Sequence, residues 1–249
     1  MMVKLFLTDV DGCLTDGGMY YSAEGEVLKR FCVYDGMGIV CLQQAGIPCG
    51  ILTSENSPLV KARAEKLKLR FLYLGVGSKV GKSVTRYDFS LQDTPSPSLS
   101  AELHSSSPSL SSELHSSSPS LSTELHSSSP SLSSESHSSS ALSGSRGVSA
   151  ELPPMSKLQA AREICAQLAI TLADVCYVGD DINDIDLLRE VGFPCCPPNA
   201  RPEVKSISKS SGAKADIRIL DTPGGQGAIR ELADLILDRI PTQKGVIRG

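Results

Sequence analysis

The stretch from Val3 to Thr15, VKLFLTDVDGCLT, constrains this chain more than any other. Val3, Leu5, Phe6 and Leu7 form an apolar run that reads as a buried strand. Val10 continues the apolar character and Gly12 starts a turn. The run stops at two aspartates separated by a single residue, Asp9 and Asp11. In an open parallel sheet the carboxyl end of a strand is where ligands bind. Two carboxylates at such a place repel each other, and a bound cation relieves them at least cost. Magnesium suits, because it needs only one or two carboxylates and keeps water and phosphate oxygens as its other ligands. The plainer reading is a solvated strand end with an Asp-Gly turn, so later strand ends must supply the rest of a site.

They do. After Asp16, Gly17 and Gly18, two short extended runs, Met19–Ser22 and Val27–Val33, flank Ala-Glu-Gly-Glu and suggest a β-hairpin flap over the aspartate loop. Asp35-Gly36-Met37-Gly38 opens a helix to about Ala45, with Gly46 as its C-cap. A strand over Ile47–Leu52 ends at Thr53-Ser54. Ser57-Pro58 then starts a helix to about Lys68, as N-cap and first helical residue, and Phe71–Leu74 is a third strand. Ser156 and Gln159 form a capping box before a helix whose apolar face is Leu158, Ala161, Cys165 and Leu168. Val175–Val178 is a fourth strand and stops at Gly179-Asp180-Asp181-Ile182-Asn183-Asp184, before a helix with Leu187 and Leu188. Phe193–Cys196 and Asp216–Ile219 read as further strands, and a last helix runs from Ala228 to about Ile240. Alternating strands and helices argue for a parallel sheet with right-handed crossovers.

Between the third strand and the capping box the chain changes character. From Pro97 it repeats PSLSAELHSSS and close variants, starting at Pro97, Pro108, Pro119 and Pro130, with a period of 11 residues. A proline and a serine run in every unit argue against a helix. With so few large apolar residues the segment cannot offset its ordering entropy and is expected to be disordered. Near-identical tandem copies suggest expansion of the coding DNA. The low-complexity insert is taken as Val80 to Met155, leaving 1–79 and 156–249 as one α/β domain of roughly 170 residues, enough for a well-buried core.

All four histidines (His104, His115, His126 and His137) fall inside that insert. The folded part therefore lacks a histidine base, a Ser-His-Asp triad and a histidine-rich zinc site. Acid–base chemistry there falls to carboxylates, lysine or metal-bound water. A net charge of −4 with no basic run speaks against a nucleic-acid surface. No apolar stretch reaches the roughly 20 residues that span a membrane. The N-terminus enters the first strand directly, which leaves no room for a leader. Eight cysteines without a CxxC pair read as reduced thiols of a cytoplasmic protein.

Three strand ends thus carry matching chemistry: Asp9/Asp11, Thr53/Ser54 and Asp180/Asp181/Asp184. Lys157 sits in the first turn of a helix, where free amides already favour an anion. Phosphoryl transfer requires these parts: a nucleophile in line, a cation across the phosphate oxygens, and donors on the equatorial oxygens. DVDGCLT, ILTS, a downstream lysine and GDDINDID resemble, in order, the four motifs of the haloacid dehalogenase superfamily of phosphohydrolases. Within it, the flap, FCVYDGMG and GGQGAIRELADLIL are similar to the 3-deoxy-D-manno-octulosonate 8-phosphate phosphatases. They also resemble the terminal domain of animal acylneuraminate cytidylyltransferases.

The resemblance implies a Rossmann-like parallel sheet with a β-hairpin flap and no large cap domain. It implies Asp9 as nucleophile, forming an aspartyl-phosphate, and Asp11 as the acid that protonates the leaving alkoxide and then activates water. Thr53, the Ser54 amide, Asp11 and a lysine would hold the phosphate. Magnesium would bind Asp9, the Asp11 carbonyl and Asp180, with Asp181 and Asp184 in support. Lys79 and Lys157 bracket the insert and each resembles the single family lysine; Lys157 is preferred because it begins a capped amphipathic helix. Cys13 reads as a filler rather than a second nucleophile. The resemblance also implies a homotetramer, in which Arg230 or residues after Ile240 could reach a neighbouring site. A related nine-carbon 9-phosphate substrate and a catalytically idle tetramerisation module are the alternatives.

Overall fold

The structure, a computed structural model, describes residues 2–77, 83–89 and 148–240. The chain begins with β1 (Leu5–Thr8), followed by a small antiparallel hairpin of β2 (Tyr20–Ser22) and β3 (Gly25–Leu28). Next come α1 (Val33–Gln44), β4 (Cys49–Thr53), α2 (Pro58–Lys66) and β5 (Phe71–Leu74). Two more strands, β6 (Val84–Asp88) and β7 (Val148–Leu152), precede α3 (Lys157–Leu168) and β8 (Val175–Val178). The rest is α4 (Ile185–Glu190), β9 (Phe193–Cys196), α5 (Pro202–Lys205), β10 (Arg218–Ile219) and α6 (Ala228–Leu237). The main sheet has the order β10-β9-β8-β1-β4-β5-β6-β7, parallel from β10 to β5 and antiparallel beyond.

Alternation along the central strands sorts the core into two layers. Phe6, Cys176 and Val178 face one cluster, with Ile39 and Leu42 of α1, Val60 of α2, and Ile229 and Leu232 of α6. Leu5, Leu7, Val175 and Tyr177 face the other, with Ala160 and Ile164 of α3, Leu187 and Leu188 of α4, and Val204 of α5. Strands covered on both faces explain the near-continuous apolar runs of the sequence. Each fully buried large side chain contributes about 1.5–3 kcal/mol to this arrangement.

The α/β class, the hairpin flap and the capping box are as expected; the Ser156 hydroxyl accepts from Gln159 N, and Ser156 N donates back to the Gln159 side chain. Several local details differ. The flap's second strand stops at Leu28 rather than Val33, because Lys29 turns inward and Cys32, in extended conformation, already starts α1. Ser57 occupies the N-cap position of α2, but its hydroxyl donates to Glu26 (2.7 Å) rather than capping the helix. The last strand is shortened to Arg218–Ile219, and the last helix ends at Leu237.

The largest difference concerns the stretch 80–155. Its two ends are strands, not insert: β6 pairs with β5, and β7 with β6. Val84 is buried in the core, the Arg86 guanidinium pairs with Glu163 of α3, and Lys61 of α2 lies 4.8 Å over the Tyr87 ring. VTRYD carries large apolar residues only at Val84 and Tyr87, three apart, so it offers no strand alternation to stand out against the serine repeats that follow. The repeats themselves, Lys79 and the residues after Ile240 lie outside the described residues.

Candidate active site

β1 lies between β4 and β8 with Thr8 opposite Ile51 on one side and Val178 on the other. Asp9 therefore leaves the sheet one residue after Thr8, while Thr53 and Asp180 each lie two residues beyond Thr8's partners. Three strand ends converge at one edge, as the sequence suggested.

Asp9, Asp180 and Asp184 each bring a carboxylate oxygen within 4.8 Å of the other two. Lys157 is 1% exposed and donates to Asp9 Oδ2 and Asp184 Oδ1, both at 2.6 Å. The capping box thus has a functional consequence: it starts α3 where the first helical side chain enters the site. Burial opposes the Lys157 charge, but the two carboxylates more than offset it and hold its pKa above the ordinary lysine value. The Asp9 Oδ1 oxygen accepts from Val10 N at 2.7 Å. Burial nonetheless pushes the Asp9 carboxyl up, against the pull of Lys157. Burial, Asp9 and Asp184 together push Asp180 up to about 7. One ammonium does not neutralise three clustered carboxylates.

Asp184 is fully buried, and its oxygens are spoken for. Oδ1 accepts from Lys157 and from the Tyr177 hydroxyl, and Oδ2 from Asp180 N (3.0 Å) and Asp181 N (3.2 Å). Two donors on each oxygen fill its acceptor capacity. This suits a residue that holds others in place. Burial pushes the Tyr177 hydroxyl well up and keeps it a neutral donor. Asp181 is exposed, accepts from Ile182 N at 2.8 Å, and stays apart from the three clustered carboxylates.

The cluster fits magnesium: oxygen donors only, more negative charge than Lys157 balances, and a carboxylate raised in pKa by burial and by its two carboxylate neighbours. The aspartate loop approaches it without slack. Gly12 has φ +76°, and a Cβ there would come within 2.0 Å of Asp180 Oδ2. Cys13 is buried with its Sγ 3.6 Å from Asp180 Oδ1, and burial holds its thiol well above the usual value, so it is neutral. Asn199 braces the loop from β9's side, donating to Gly12 O (2.9 Å) and accepting from Gly224 N (2.8 Å).

On the phosphate side, Thr53 is buried and its hydroxyl accepts from Glu55 N at 3.2 Å. The Ser54 hydroxyl donates to Val76 O (2.9 Å) and accepts from Asn183 (2.8 Å). Arg230 is paired along α6 with Asp234 at 2.9 Å.

Three participants were not singled out from the sequence. Asn183 links the ends of β4 and β8, although it lay inside a quoted motif. Asp35, inside FCVYDGMG, is buried and accepts from Gly227, Ile229 and Arg230 N at 2.9–3.3 Å, so it caps α6. Lys29, just past the flap, reaches Asp11 Oδ1 at 2.6 Å and Glu26 at 2.9 Å. Its place in a short lysine-bearing stretch after a hairpin gave no periodic signal.

Motif order and topology resemble those of haloacid dehalogenase-like proteins, and a family model described as haloacid dehalogenase-like hydrolase matches residues 134–216. Within that class the chain resembles the 3-deoxy-D-manno-octulosonate 8-phosphate phosphatases. It is 39% identical to the one from Haemophilus influenzae over 90 residues, 36% of this chain; the matched stretch spans only about half (48%) of that relative. It is 25% identical to the one from Escherichia coli K12 over 235 residues, covering 94% of this chain and 79% of the relative. The solved structure of the Moraxella catarrhalis phosphatase, in complex with magnesium, phosphate and KDO, superposes with a TM-score of 0.58 at 25% identity. That match covers 95% of this chain and 86% of the other.

Proposed function

We propose that this chain is a magnesium-dependent phosphomonoester hydrolase acting on 3-deoxy-D-manno-octulosonate 8-phosphate. The observation that carries the reading is the Asp9–Asp180–Asp184 cluster with Lys157 bonded to two of its members at the ends of adjacent strands. The substrate rests on the names of the relatives and on the KDO of the Moraxella catarrhalis complex.

Asp9 attacks phosphorus, the P–O bond to the sugar breaks, and Asp11 gives its proton to the departing alkoxide. Asp11, now a carboxylate, takes a proton from the water that hydrolyses the aspartyl-phosphate. Lys157 and the Thr53 hydroxyl hold the transferring group's oxygens. With the Ser54 hydroxyl committed elsewhere, its contribution falls to the main-chain N–H. Asp184, saturated with donors, keeps Lys157 and the Asp180 loop in place. Magnesium, which Asp9, Asp180 and the Asp11 carbonyl would hold, would supply neutralisation of the phosphate charge.

We assign the assembly as a homotetramer. Met19, Tyr20, Tyr21, Val27 and Leu28 of the hairpin, with Val33, Tyr34 and Met37 of α1, are 44–79% exposed, more large apolar side chains in one stretch of chain than a monomer has reason to display. Sedimentation of the full chain, alone and as Tyr21→Glu, checks this. Eight free cysteines support a reducing, cytoplasmic setting. The activity is tested by phosphate release from the octulosonate phosphate, with magnesium and with chelator, for the intact chain and Asp9→Asn. Metal-dependent turnover absent from the variant is expected; turnover that survives chelation or Asp9→Asn would overturn the reading.

A further inference from the structure

Lys29 has no place in the mechanism above, yet its side chain is wholly buried against two carboxylates at the edge of the site. Its ammonium lies 2.6 Å from Asp11 Oδ1 and 2.9 Å from a Glu26 oxygen. The Glu26 carboxylate in turn accepts from Ser57 Oγ, at 2.7 Å, at the start of α2. A chain of contacts therefore runs from α2 through the base of the hairpin to the second aspartate. Burying a lysine is costly unless its charge is paired, and this one is paired twice.

The Asp11 carboxyl is held asymmetrically. Oδ1 accepts from Lys29 and, at 3.3 Å, from Thr15 Oγ1. The Thr15 hydroxyl, whose one proton also reaches Val10 O at 3.4 Å, is the weaker donor, and the carboxyl cannot swing about its χ2 without breaking the short Lys29 contact. Its other oxygen, Oδ2, is then the one presented for proton transfer. The arrangement serves both protonation states, because Oδ1 accepts from the same donors whether or not Oδ2 carries a proton.

We propose that Lys29 is a positioning residue for Asp11: it anchors Oδ1 so that Oδ2 faces the reacting group, and it ties that orientation to the seating of the hairpin through Glu26. The inference rests on the reading of Asp11 as the acid that protonates the leaving oxygen. In that step the Asp9–phosphorus bond forms, the phosphorus–alkoxide bond breaks, and the proton moves from Asp11 Oδ2 to the alkoxide. A nitrophenolate leaving group departs without that proton.

The test compares kcat/KM for the octulosonate phosphate and for p-nitrophenyl phosphate, since kcat/KM covers the steps up to loss of the leaving group. Asp11→Asn is the reference, and it must itself lose far more on the sugar phosphate than on the nitrophenyl ester. Lys29→Met is expected to follow it, falling about tenfold or more on the sugar phosphate and less than about threefold on the ester. Lys29→Arg should recover part of the loss, and Glu26→Gln should show a smaller loss with the same preference. Magnesium affinity measured by calorimetry should stay near the wild-type value in Lys29→Met, which shows that the site is folded. Equal losses on both substrates in Lys29→Met, with Asp11→Asn discriminating, would overturn the positioning role alone. So would a change confined to the KM for the sugar phosphate, which would make Lys29 a substrate anchor. Failure of Asp11→Asn to discriminate would instead overturn the reading of Asp11, and the inference with it.

Discussion

Lys157 and Asp9 stand 148 residues apart in the chain and meet at 2.6 Å, with the ammonium also on Asp184. Replacing Lys157 with Met leaves buried carboxylates without their cation, a change that costs about 3–5 kcal/mol where one partner of a buried pair is removed. Urea unfolding of metal-free protein checks this. An unchanged midpoint would mean that the lysine is not needed to hold the carboxylates together.

The Asp180 carboxyl gives a pH dependence with a definite sign. It is held at about 7 in the folded chain against an ordinary 3.8, so between these values the folded state binds more protons than the unfolded. The penalty for ionising it is complete above the folded pKa and disappears as pH falls toward the unfolded one. The thermal midpoint of metal-free protein should therefore rise, through this group, from about pH 8 to about pH 6. Saturating magnesium, or Asp180→Asn, should flatten that slope. A slope unaffected by either would place its origin elsewhere.

Gly12→Ala should damage the cation site without touching a ligand. The new methyl would sit 2.0 Å from Asp180 Oδ2 at a φ of +76°, so either the loop or the carboxylate must move. Magnesium affinity should fall about 10–100-fold, as for other residues that position metal ligands. Calorimetry reads this directly, and wild-type affinity would contradict the tight packing of loop on carboxylate.

Much of this was legible in the sequence because the signals were local. Asp9, Thr53 and Asp180 each end an apolar run, and Lys157 directly follows a capping residue. Lys29 and Asp35 were not legible as partners. Their targets, Asp11 and the start of α6, are set by tertiary packing of the hairpin on the aspartate loop and of α1 on α6. The strands β6 and β7 are hidden for a different reason: over the stretch from 80 to 155 the serine repeats outweigh two five-residue strands, of which only VSAEL alternates.

That pairing has a consequence for the repeats. Asp88 lies opposite Val148 in the antiparallel register, so the ends of 90–147 can be joined by a short hairpin turn. Replacing those residues with a four-residue Asn-Gly turn should leave turnover intact and stabilise the chain by about 2 kcal/mol, the saving in loop-closure entropy. Loss of turnover, or destabilisation, would show that the repeats contribute interactions of their own.

The most direct test of the account is to trap the phosphoryl group. Protein mixed with the octulosonate phosphate and magnesium, quenched in acid within a turnover and digested, should carry one phosphoryl mass increment on the peptide containing Asp9, and none in Asp9→Asn. Turnover of the intact chain with no phosphoryl group on Asp9, or with the increment on another residue, would contradict it.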